Sequence, residues 1–354
     1  MGKFAEFLKE QDNEKPYKLV VFNHHGEAVR DVDKEEGFTD NDKIIMKSAK
    51  AAGLQLHMVD FVGGHLSSKN GKRYLNSFPI DKDGLVMPEK GKAEYQKPIE
   101  LNPENTLIMP RGLGTLGFTS SRYWRDMIED LELNGFTTVP SVKCWDNCSS
   151  KYFTDILCRK AGLRTPKTVA ISHSEDTERA VKELGTKFPI ILKSSTGTQT
   201  GVGVVIIESM RSLHASVQML LLYSKYLPII IQEYIKIDYD VRVIVLDGKI
   251  LGTMKREVIS DGDFRSNVSL GAESSSIELT EIEKRDSLKA AEAVEGRLVG
   301  VDFIPAKDRE KEQPYILEVN SMPGFGGIEK LKKGLVKEIL EHFKDRNNWR
   351  IDND

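Results

Sequence analysis

Residues 316–327, ILEVNSMPGFGG, constrain the fold more than any other stretch of this chain. The apolar, β-branched start predicts a strand, and the Pro-Gly pair predicts a turn directly after it. Side chains alternate between the two faces of a strand, so Glu318 and Asn320 are predicted to share one face. Leu317 and Val319 are predicted to point to the opposite face, into a core. The stretch therefore predicts a sheet with one apolar face and one face that carries oxygen-bearing side chains.

Oxygen-bearing side chains on one face are typical ligands of a hard cation such as Mg²⁺. Glu318 and Asn320 supply a carboxylate and an amide. A second carboxylate is available if the predicted strand 298–304 pairs with 315–320, because Asp302 would then face the same point. We therefore predict a metal site formed by Asp302, Glu318 and Asn320. The alternative is an edge strand that turns Glu318 and Asn320 to solvent.

A second candidate site is the glycine-rich stretch ILKSSTGTQTGVGVVII, residues 191–207. Lys193 lies at the end of one predicted strand, and Gly201 and Gly203 precede the next. The backbone N–H groups of such a turn can bind phosphate oxygens, and Lys193 adds a positive charge. The stretch differs from the common phosphate-binding loop, because GK[ST] is absent and no helix follows. A flexible hairpin turn is the alternative.

A third motif, GLGTLG at 112–117, matches the G-x-G-x-x-G pattern of dinucleotide-binding proteins. It follows a predicted strand and precedes a predicted helix, as that pattern requires. However, no acidic residue closes a strand about 20 residues further on. Arg111 stands directly at the strand end. A nicotinamide site is therefore disfavoured.

Basic residues are interleaved with the predicted strands of the last third of the chain. Arg242, Lys255, Arg256 and Arg265 belong to this group, and Asn267 follows them. Guanidinium groups near a metal and phosphates would offset the charge that develops in phosphoryl transfer. A solvated hairpin with surface charges is the alternative.

Composition excludes several classes of protein. The 354 residues include 51 Lys and Arg and 54 Asp and Glu, so the net charge of −3 disfavours a general nucleic-acid binder. The first residues lack the apolar core of a signal peptide, and no apolar run approaches the roughly 18 residues of a membrane span. Three cysteines do not make a disulfide framework, which favours a reducing cytoplasm.

Short apolar runs alternate with helical segments and predict a mixed α/β fold. A hairpin is predicted over 241–257, with Asp247-Gly248 as its turn. The region 63–105 is predicted to hold short strands. Further strands are predicted at 18–23, 54–61, 106–111, 188–194, 203–209 and 229–235, and helices at 41–53, 149–162, 210–226 and 281–294. A final amphipathic helix is predicted to bury Leu331, Leu335, Val336, Ile339, Leu340 and Phe343.

Taken in order along the chain, PIILKSSTGTQTGVGV, IIQEYI, DYDVR, GDFRSN, GVDFIP and LEVNSMPGFGGIE resemble segments of ATP-grasp ligases. The sequence looks most like the RimK branch, which includes ribosomal-protein glutamate ligases. The resemblance covers about residues 106 to 345. It implies an α/β (α+β) ATP-grasp fold with an N-terminal pre-ATP-grasp domain over 1–142. A central lid subdomain over 143–230 and a C-terminal α+β subdomain with the metal site over 231–354 are implied as well.

The resemblance also implies roles for individual residues. Arg256 and Arg242 would stabilise the transferring phosphoryl group, Arg111 would lie on the substrate side, and Asp302, Glu318 and Asn320 would hold Mg²⁺. Nucleotide contacts are implied for Lys151, Lys193, Gly201, Gly203, Gln232, Glu233, Tyr234, Ile235, Asp240, Arg265, Ser266 and Asn267. Within this set, 233–235 would read the adenine edge and Asp240 would contact the ribose. The chain departs from the family in VSLGAE after RSN, where many relatives have a histidine, an arginine and paired glycines, and in the 63–105 insertion.

The implied activity is an ATP- and Mg²⁺-dependent ligation, with Mn²⁺ as a substitute metal. A carboxylate is phosphorylated to an acyl-phosphate, and an amine then displaces phosphate to form an amide. The expected partners are ATP, an amino acid such as glutamate and a carboxylate on a protein, peptide or small molecule. Neither nucleic acid nor membrane is expected, and homo-oligomerisation is left open. The alternatives are a ribosomal-peptide tailoring ligase, a small-metabolite amino-acid ligase and an inactive nucleotide-binding module.

Overall fold

The computed structural model describes residues 16–23, 39–60, 64–77, 80–81, 84–85, 97–111, 118–195, 204–223, 228–257 and 274–349. By packing, the chain divides into two compact units. The first comprises Met1–Val142 with Gly324–Asp354, and the second comprises Lys143–Pro323. Residues from Gly324 onward thus pack with the first unit, although the predicted C-terminal subdomain includes them. The three-domain division itself stays a prediction.

The described strands and helices are numbered here in chain order. The strands are β1 (Lys18–Asn23), β2 (Gln55–Asp60), β3 (His65–Lys69), β4 (Lys72–Asn76), β5 (Ile80–Asp81), β6 (Gly84–Leu85), β7 (Ile99–Leu101), β8 (Thr106–Pro110), β9 (Thr137–Thr138), β10 (Thr168–Ile171), β11 (Ile190–Ser194), β12 (Val204–Ile207), β13 (Ile229–Glu233), β14 (Tyr239–Leu246), β15 (Lys249–Glu257), β16 (Ser274–Ser275), β17 (Leu298–Ile304) and β18 (Tyr315–Asn320). The helices are α1 (Asp40–Ala51), α2 (Phe118–Leu133), α3 (Val142–Ser149), α4 (Lys151–Lys160), α5 (Thr177–Leu184), α6 (Met210–Tyr223), α7 (Glu281–Ala293), α8 (Gly326–Leu331) and α9 (Leu335–His342). The mixed α/β class is confirmed. The strands and helices predicted with bounds are also confirmed within one to three residues at their ends, whereas the predicted final helix is not.

The first unit contains a parallel sheet with strand order β2-β1-β8-β9. The central strand β1 is buried on both faces, as its run of apolar residues predicts. Thr39 and Asp42 cap α1 reciprocally: the Thr39 N–H donates to Asp42 Oδ2 over 2.9 Å, and Asp42 N–H donates to Thr39 Oγ1 over 3.3 Å. The predicted short strands of 63–105 are present as an antiparallel β3-β4-β7 sheet and a β5-β6 pair.

The second unit contains two antiparallel sheets. One has the strand order β10-β13-β11-β12, and its core is built from apolar side chains of these strands together with α5 and α6. The other has the order β16-β15-β14-β17-β18 and packs one face on α7 and on apolar residues of α3 and α4. Because only one face of this second sheet is covered by that core, its other face is available to polar side chains.

The β14–β15 hairpin turns at the predicted Asp247-Gly248 pair. Asp247 has φ +42° and Gly248 has φ +71°, so both central residues are left-handed, as a type I′ turn requires. Asp and Gly tolerate this conformation better than other residues, which is why the pair predicts the turn.

Strict alternation fails at one position of β18. Asp302 lies opposite Glu318, but the next residue, Phe303, lies opposite Ile316, so the ladder skips Leu317. This is a β-bulge, in which two residues of one strand face one residue of the other. Ile316 and Val319 enter the core, whereas Leu317 is only partly buried. The prediction that Leu317 points into the core is therefore wrong.

The single final helix predicted from the sequence is two helices, α8 and α9. Gly334 separates them with φ +86°, a conformation that ends a right-handed helix. Leu331 ends α8 with 37% of its surface exposed, so its place in the buried stripe is wrong. The other five residues of the predicted stripe are buried. Among the helices of the described ranges, none combines the length and the apolar character that crossing a membrane requires.

Candidate functional site

One face of the five-stranded sheet carries the predicted catalytic and metal-binding residues. Arg242 on β14 lies opposite Asp302 on β17, and Asp302 lies opposite Glu318 on β18. Directly opposite residues of an antiparallel pair share a face, with Cβ atoms about 4.5–5.5 Å apart. Asn320 is two residues beyond Glu318 and lies opposite Gly300. The predicted pairing of 298–304 with 315–320 is thus confirmed, and it brings the two carboxylates to neighbouring positions.

Gly300 allows the turn after β18 to pack closely beside this face. A Cβ atom added at Gly300 would lie 2.9 Å from Cβ of Pro323, closer than such atoms approach in folded proteins. The same added atom would lie 3.9 Å from Cβ of Asn320. The glycine therefore fixes the approach of the Pro-Gly turn next to a predicted metal ligand.

Asp302 is almost fully buried, accepts two hydrogen bonds from Arg242 and forms an ion pair with Arg256. Arg242 donates from Nε to Oδ1 over 2.7 Å and from Nη2 to Oδ2 over 2.6 Å. Arg256 Nη2 lies 3.3 Å from Oδ2 of the same carboxylate. Bidentate pairs of this kind fix both partners in position. Both arginines predicted to be catalytic therefore meet at one predicted metal ligand.

Arg256 is held on its other side by Asp240. The guanidinium donates from Nε to Asp240 Oδ1 and from Nη2 to Oδ2, each over 2.7 Å. Burial alone would lower the pKa of Arg256, but the carboxylates of Asp302 and Asp240 outweigh it and raise that pKa above its ordinary value. Asp240, predicted as a ribose contact, thus uses both carboxylate oxygens to hold Arg256. Its contact with a ribose stays a prediction.

Glu318 forms an ion pair with Lys151, whose Nζ donates to Oε2. Asn320 Nδ2 donates to the other oxygen, Oε1, over 3.0 Å. Burial alone would raise the pKa of Glu318, but the charge and hydrogen bond of Lys151 hold that pKa below its usual range. Burial alone would likewise lower the pKa of Lys151, and the charge of Glu318 raises it instead. Both side chains are therefore charged at neutral pH.

The three predicted metal ligands fit a hard cation in their chemistry. Asp302 and Glu318 are carboxylates on adjacent strands, and Asn320 adds an amide oxygen on the same face. No group of three or more His, Cys, Asp or Glu side chains in the described part of the chain is placed to hold a metal ion. A metal site with three protein ligands here therefore needs the amide oxygen of Asn320. A bound cation would also compete with Arg242 and Lys151 for the two carboxylates. The assignment of the ligands stays a prediction.

The two lysines predicted to bind phosphates lie on connected elements. Ser150 caps α4 by accepting a hydrogen bond from Phe153 N–H, which places Lys151 at the first position of the helix. The Lys151 N–H donates to the carbonyl of Ser195 over 2.9 Å, directly after β11. Lys193 lies two residues before Ser195, so the start of α4 is joined to the strand end that carries Lys193.

Lys193 is buried and donates from Nζ to Gln232 Oε1 over 3.0 Å. Gln232 in turn donates from Nε2 to Thr168 Oγ1 over 2.7 Å, which fixes the orientation of its amide. Burial, together with the positive charge of Lys151, lowers the pKa of Lys193 to about 8. Gln232, which the resemblance places in the nucleotide site, is thus the residue that orients Lys193.

The predicted adenine-binding linker follows β13. Glu233 pairs with Lys167 in both directions: Glu233 N–H donates to the Lys167 carbonyl over 2.9 Å, and Lys167 N–H donates to Glu233 Oε1 over 3.0 Å. Tyr234 and Ile235 come next and are partly buried. The linker is thereby tied to the strand that begins at Thr168, and its contact with adenine stays a prediction.

Some predicted residues cannot be placed in this site. Gly201, Gly203, Arg265, Ser266 and Asn267 lie outside the described residues. Arg111 belongs to the first unit, where its guanidinium lies 4.6 Å from the ring centroid of Phe325. Burial lowers the pKa of Arg111 to about 10, and Asp42 partly offsets this. Its role on the substrate side stays a prediction.

Asp155 and Thr168 are residues of this region that the sequence analysis missed. Thr168 orients Gln232 and gives no signal in the sequence, because the two are 64 residues apart. Asp155 follows Lys151 by four residues, and that spacing places both on one face of a helix. Once Lys151 is a candidate, this spacing is a signal that could have identified Asp155.

Comparison with known proteins identifies relatives of the sequence. A family model for the RimK-like ATP-grasp domain matches residues 149–343. A probable alpha-L-glutamate ligase of Marinomonas sp. (strain MWYL1) is 30% identical over 245 residues, which are 68% of this chain and 77% of that protein. A probable alpha-L-glutamate ligase of Coxiella burnetii is 31% identical over 242 residues, 68% of this chain and 76% of that protein.

Comparison of structures finds the same fold over nearly the whole chain. A ligase associated with ribosomal peptides from Chryseobacterium gregarium, an ATP-grasp protein in complex with ADP and a leader and core peptide, superposes with a TM-score of 0.63. It is 14% identical, and the match covers 93% of this chain and 96% of that one. At this identity the match shows the ATP-grasp fold, which confirms the predicted fold.

Proposed function

The chain belongs to the RimK-like ATP-grasp family of ADP-forming ligases, and we propose that it adds an amino acid such as glutamate to a carboxylate. The reaction is an ATP-dependent ligation of a carboxylate and an amine. In the first step, the carboxylate oxygen attacks the γ-phosphorus of ATP, and ADP leaves. In the second step, the amine attacks the acyl-phosphate and phosphate leaves, so that an amide forms and the amine proton is released.

A single observation carries this proposal: the buried carboxylate of Asp302 and the partly buried carboxylate of Glu318 lie opposite each other, and each contacts a basic side chain. Mg²⁺ held by Asp302, Glu318 and Asn320 would supply a positive charge that polarises phosphate oxygens. This arrangement supports phosphoryl transfer, in which catalysis comes from positioning and electrostatic stabilisation and not from a covalent nucleophile.

The arginines stabilise negative charge from fixed positions in this mechanism. Asp240 and Asp302 hold Arg256 from two sides, and Asp302 holds Arg242 in a bidentate pair. Because the guanidinium groups are already oriented, little reorganisation is needed as charge develops on the transferring group. Lys151 and Lys193 would bind the phosphates of ATP from the side of α4 and β11.

The identity of the substrates draws support from two kinds of relatives. The sequence relatives are named probable alpha-L-glutamate ligases, which favours glutamate as the amine. The structural neighbour bound to a leader and core peptide favours a second candidate, the tailoring of a ribosomal peptide. In both cases the energy comes from ATP; the first candidate forms an amide, and the second forms an ester or an amide within a peptide.

The Glu318→Gln substitution tests the proposal. Glutamine keeps an oxygen that can accept the Lys151 hydrogen bond but removes the negative charge. We expect ADP release with Mg²⁺, ATP and an amino-acid mixture to fall by about 100-fold or more. Glu310→Gln, which changes an exposed side chain, is the matched control and is expected to keep full activity.

Wild-type turnover of the Glu318→Gln variant would contradict the metal assignment. To identify the substrates, the protein is incubated with ATP, Mg²⁺ and each amino acid in turn. Mass spectrometry of candidate polypeptides then detects added residues. A glutamate ligase adds glutamate increments, whereas a peptide-tailoring enzyme that closes internal bonds removes the mass of water from its peptide.

A further inference from the structure

Helix α4 presents a second charged residue, Asp155, on the same face as Lys151. The two are four residues apart, which places them one above the other on the helix. The backbone N–H of Lys151 donates to the carbonyl of Ser195, so the first turn of the helix lies beside the end of β11. Lys193 is on that strand end. The fold therefore brings Asp155 into the surroundings of Lys193.

The carboxylate of Asp155 is buried, with 7% of the residue exposed. Its Oδ2 accepts a hydrogen bond from Arg159 Nε over 3.0 Å, and Arg159 is half exposed. Its Oδ1 is buried and has no hydrogen-bond partner among the residues of the described ranges. A buried carboxylate oxygen is rarely kept without a partner, so its negative charge needs an explanation.

The charged groups that face Lys193 come from two elements besides its own sheet. Lys151 and Asp155 on α4 and Glu318 on β18 interact with its charge, while its hydrogen-bond partner on β13 is the neutral amide of Gln232. Lys151 and Glu318 are paired with each other. Asp155 is the remaining carboxylate of this set. The charge of Glu318 and, to a smaller extent, that of Asp155 raise the pKa of Lys193 against the effects of burial and of Lys151.

We propose that Asp155 is a positioning residue of the nucleotide site, whose buried carboxylate keeps the ammonium group of Lys193 charged for phosphate binding. The inference rests on the proposed function, because it takes Lys193 to be a phosphate ligand. It explains why α4 carries a buried acid one turn beyond Lys151. One helix supplies both a lysine of the site and the counter-charge of the other lysine.

The test measures the affinity for ATP as a function of pH in the wild type and in Asp155→Asn. Removing a nearby opposite charge is expected to lower the pKa of Lys193 by about one pH unit, from about 8. Binding of ATP would then weaken about fivefold at pH 8. At pH 6 it would weaken only about 1.1-fold, because Lys193 is mostly protonated in both proteins. The effect of pH on ATP itself and on its complex with Mg²⁺ cancels in the ratio of the two dissociation constants.

Two further variants separate this effect from a structural one. Asp155→Glu restores the charge and is expected to restore the wild-type pH profile. Arg159→Ala removes the exposed partner of Asp155 but leaves the carboxylate, so the profile is expected to stay that of the wild type. A loss of affinity that is equal at pH 6 and pH 8 in Asp155→Asn would overturn the proposal, and so would an unchanged profile.

The same series distinguishes a failure of this inference from a failure of the proposed function. Lys193→Ala weakens ATP binding at pH 6 if Lys193 binds phosphate. Unchanged affinity in that variant contradicts the phosphate role and with it the premise. Weakened affinity in Lys193→Ala, combined with a wild-type pH profile in Asp155→Asn, contradicts the inference alone.

Discussion

The two antiparallel sheets of the second unit both bury charged side chains, but they balance the charges differently. The five-stranded sheet carries a row of residues that alternate in sign, each within 3.3 Å of the next: Asp240, Arg256, Asp302 and Arg242. In the four-stranded sheet, Lys193 is also buried, but its Nζ hydrogen-bonds to the neutral amide of Gln232. The buried charges of the five-stranded sheet are therefore compensated by direct contact with opposite charges, whereas the charge of Lys193 in the four-stranded sheet is not.

This difference reverses the direction of the pKa shifts. Burial disfavours the charged form of Arg256 and of Lys193 alike. The carboxylates in contact with Arg256 raise its pKa nevertheless, whereas the pKa of Lys193 falls to about 8. Burial by itself therefore does not decide whether a basic group stays charged. A carboxylate in direct contact keeps the basic group charged. Arg256 in the five-stranded sheet has such a contact, whereas Lys193 in the four-stranded sheet does not.

The largest effect is expected from breaking the compensated row with Asp302→Asn. The substitution leaves Arg242 and Arg256 without the charge that both contact, and the breaking of a buried ion pair costs about 3–5 kcal/mol. Urea unfolding at pH 7 measures this loss. Asp308→Asn is the control: its side chain is 43% exposed and pairs with Lys311 at the surface, and we expect a change within about 0.5 kcal/mol. Equal stability of the two variants would show that the contacts of Asp302 do not compensate the charges of Arg242 and Arg256.

A smaller effect of opposite sign is expected from Lys193→Met. The pKa of Lys193 is about 8 in the folded protein, against 10.5 as the ordinary value. The folded state therefore binds fewer protons than the unfolded state between these values, and wild-type stability rises as pH increases through this window. Removing the amine should stabilise the protein by up to about 3 kcal/mol at pH 7. The difference between the two proteins should vanish towards pH 10.5.

Urea unfolding of both proteins at a series of pH values between 7 and 10 checks this prediction, since other titrating groups cancel in the difference. ATP affinity is expected to fall in the same variant if Lys193 binds phosphate as proposed. A variant that is less stable than the wild type at pH 7 would mean that Lys193 is compensated after all.

The smallest effect is expected from Gln232→Glu, which gives the four-stranded sheet the contact it lacks. A carboxylate at this position would pair with Lys193 and strengthen its hydrogen bond, a gain of about 1 kcal/mol at pH 7. The rise of stability between pH 8 and 10.5 should then become shallower, because the folded pKa of Lys193 moves back up. Gln313→Glu adds the same charge at a partly exposed position outside both sheets. This control is expected to leave the slope of stability against pH unchanged. The same slope in both variants would contradict the proposed difference between the two sheets.

Much of the fold could be predicted because it depends on local rules. The runs that form β1, β8 and β13 are apolar and β-branched, and Asp247-Gly248 satisfies the left-handed turn of the β14–β15 hairpin. The placement of Asp302 opposite Glu318 could also be predicted, since both follow from strand alternation once the two strands pair. The bulge at Leu317 could not, because a register shift depends on how the partner strand packs.

Residue type and spacing along a strand or helix predicted most of the elements, Lys193 and the oxygen-bearing set, since they fix what each segment offers. The family resemblance of the sequence added Lys151. Only the tertiary structure decided which charges are compensated. Arg256 meets Asp240 and Asp302, Lys151 meets Glu318, and Lys193 meets only an amide in contact range among the described residues. These partners are 16 to 167 residues apart. Chain separation carries no information about such contacts, because a buried charge responds to the groups that packing brings within a few ångströms of it.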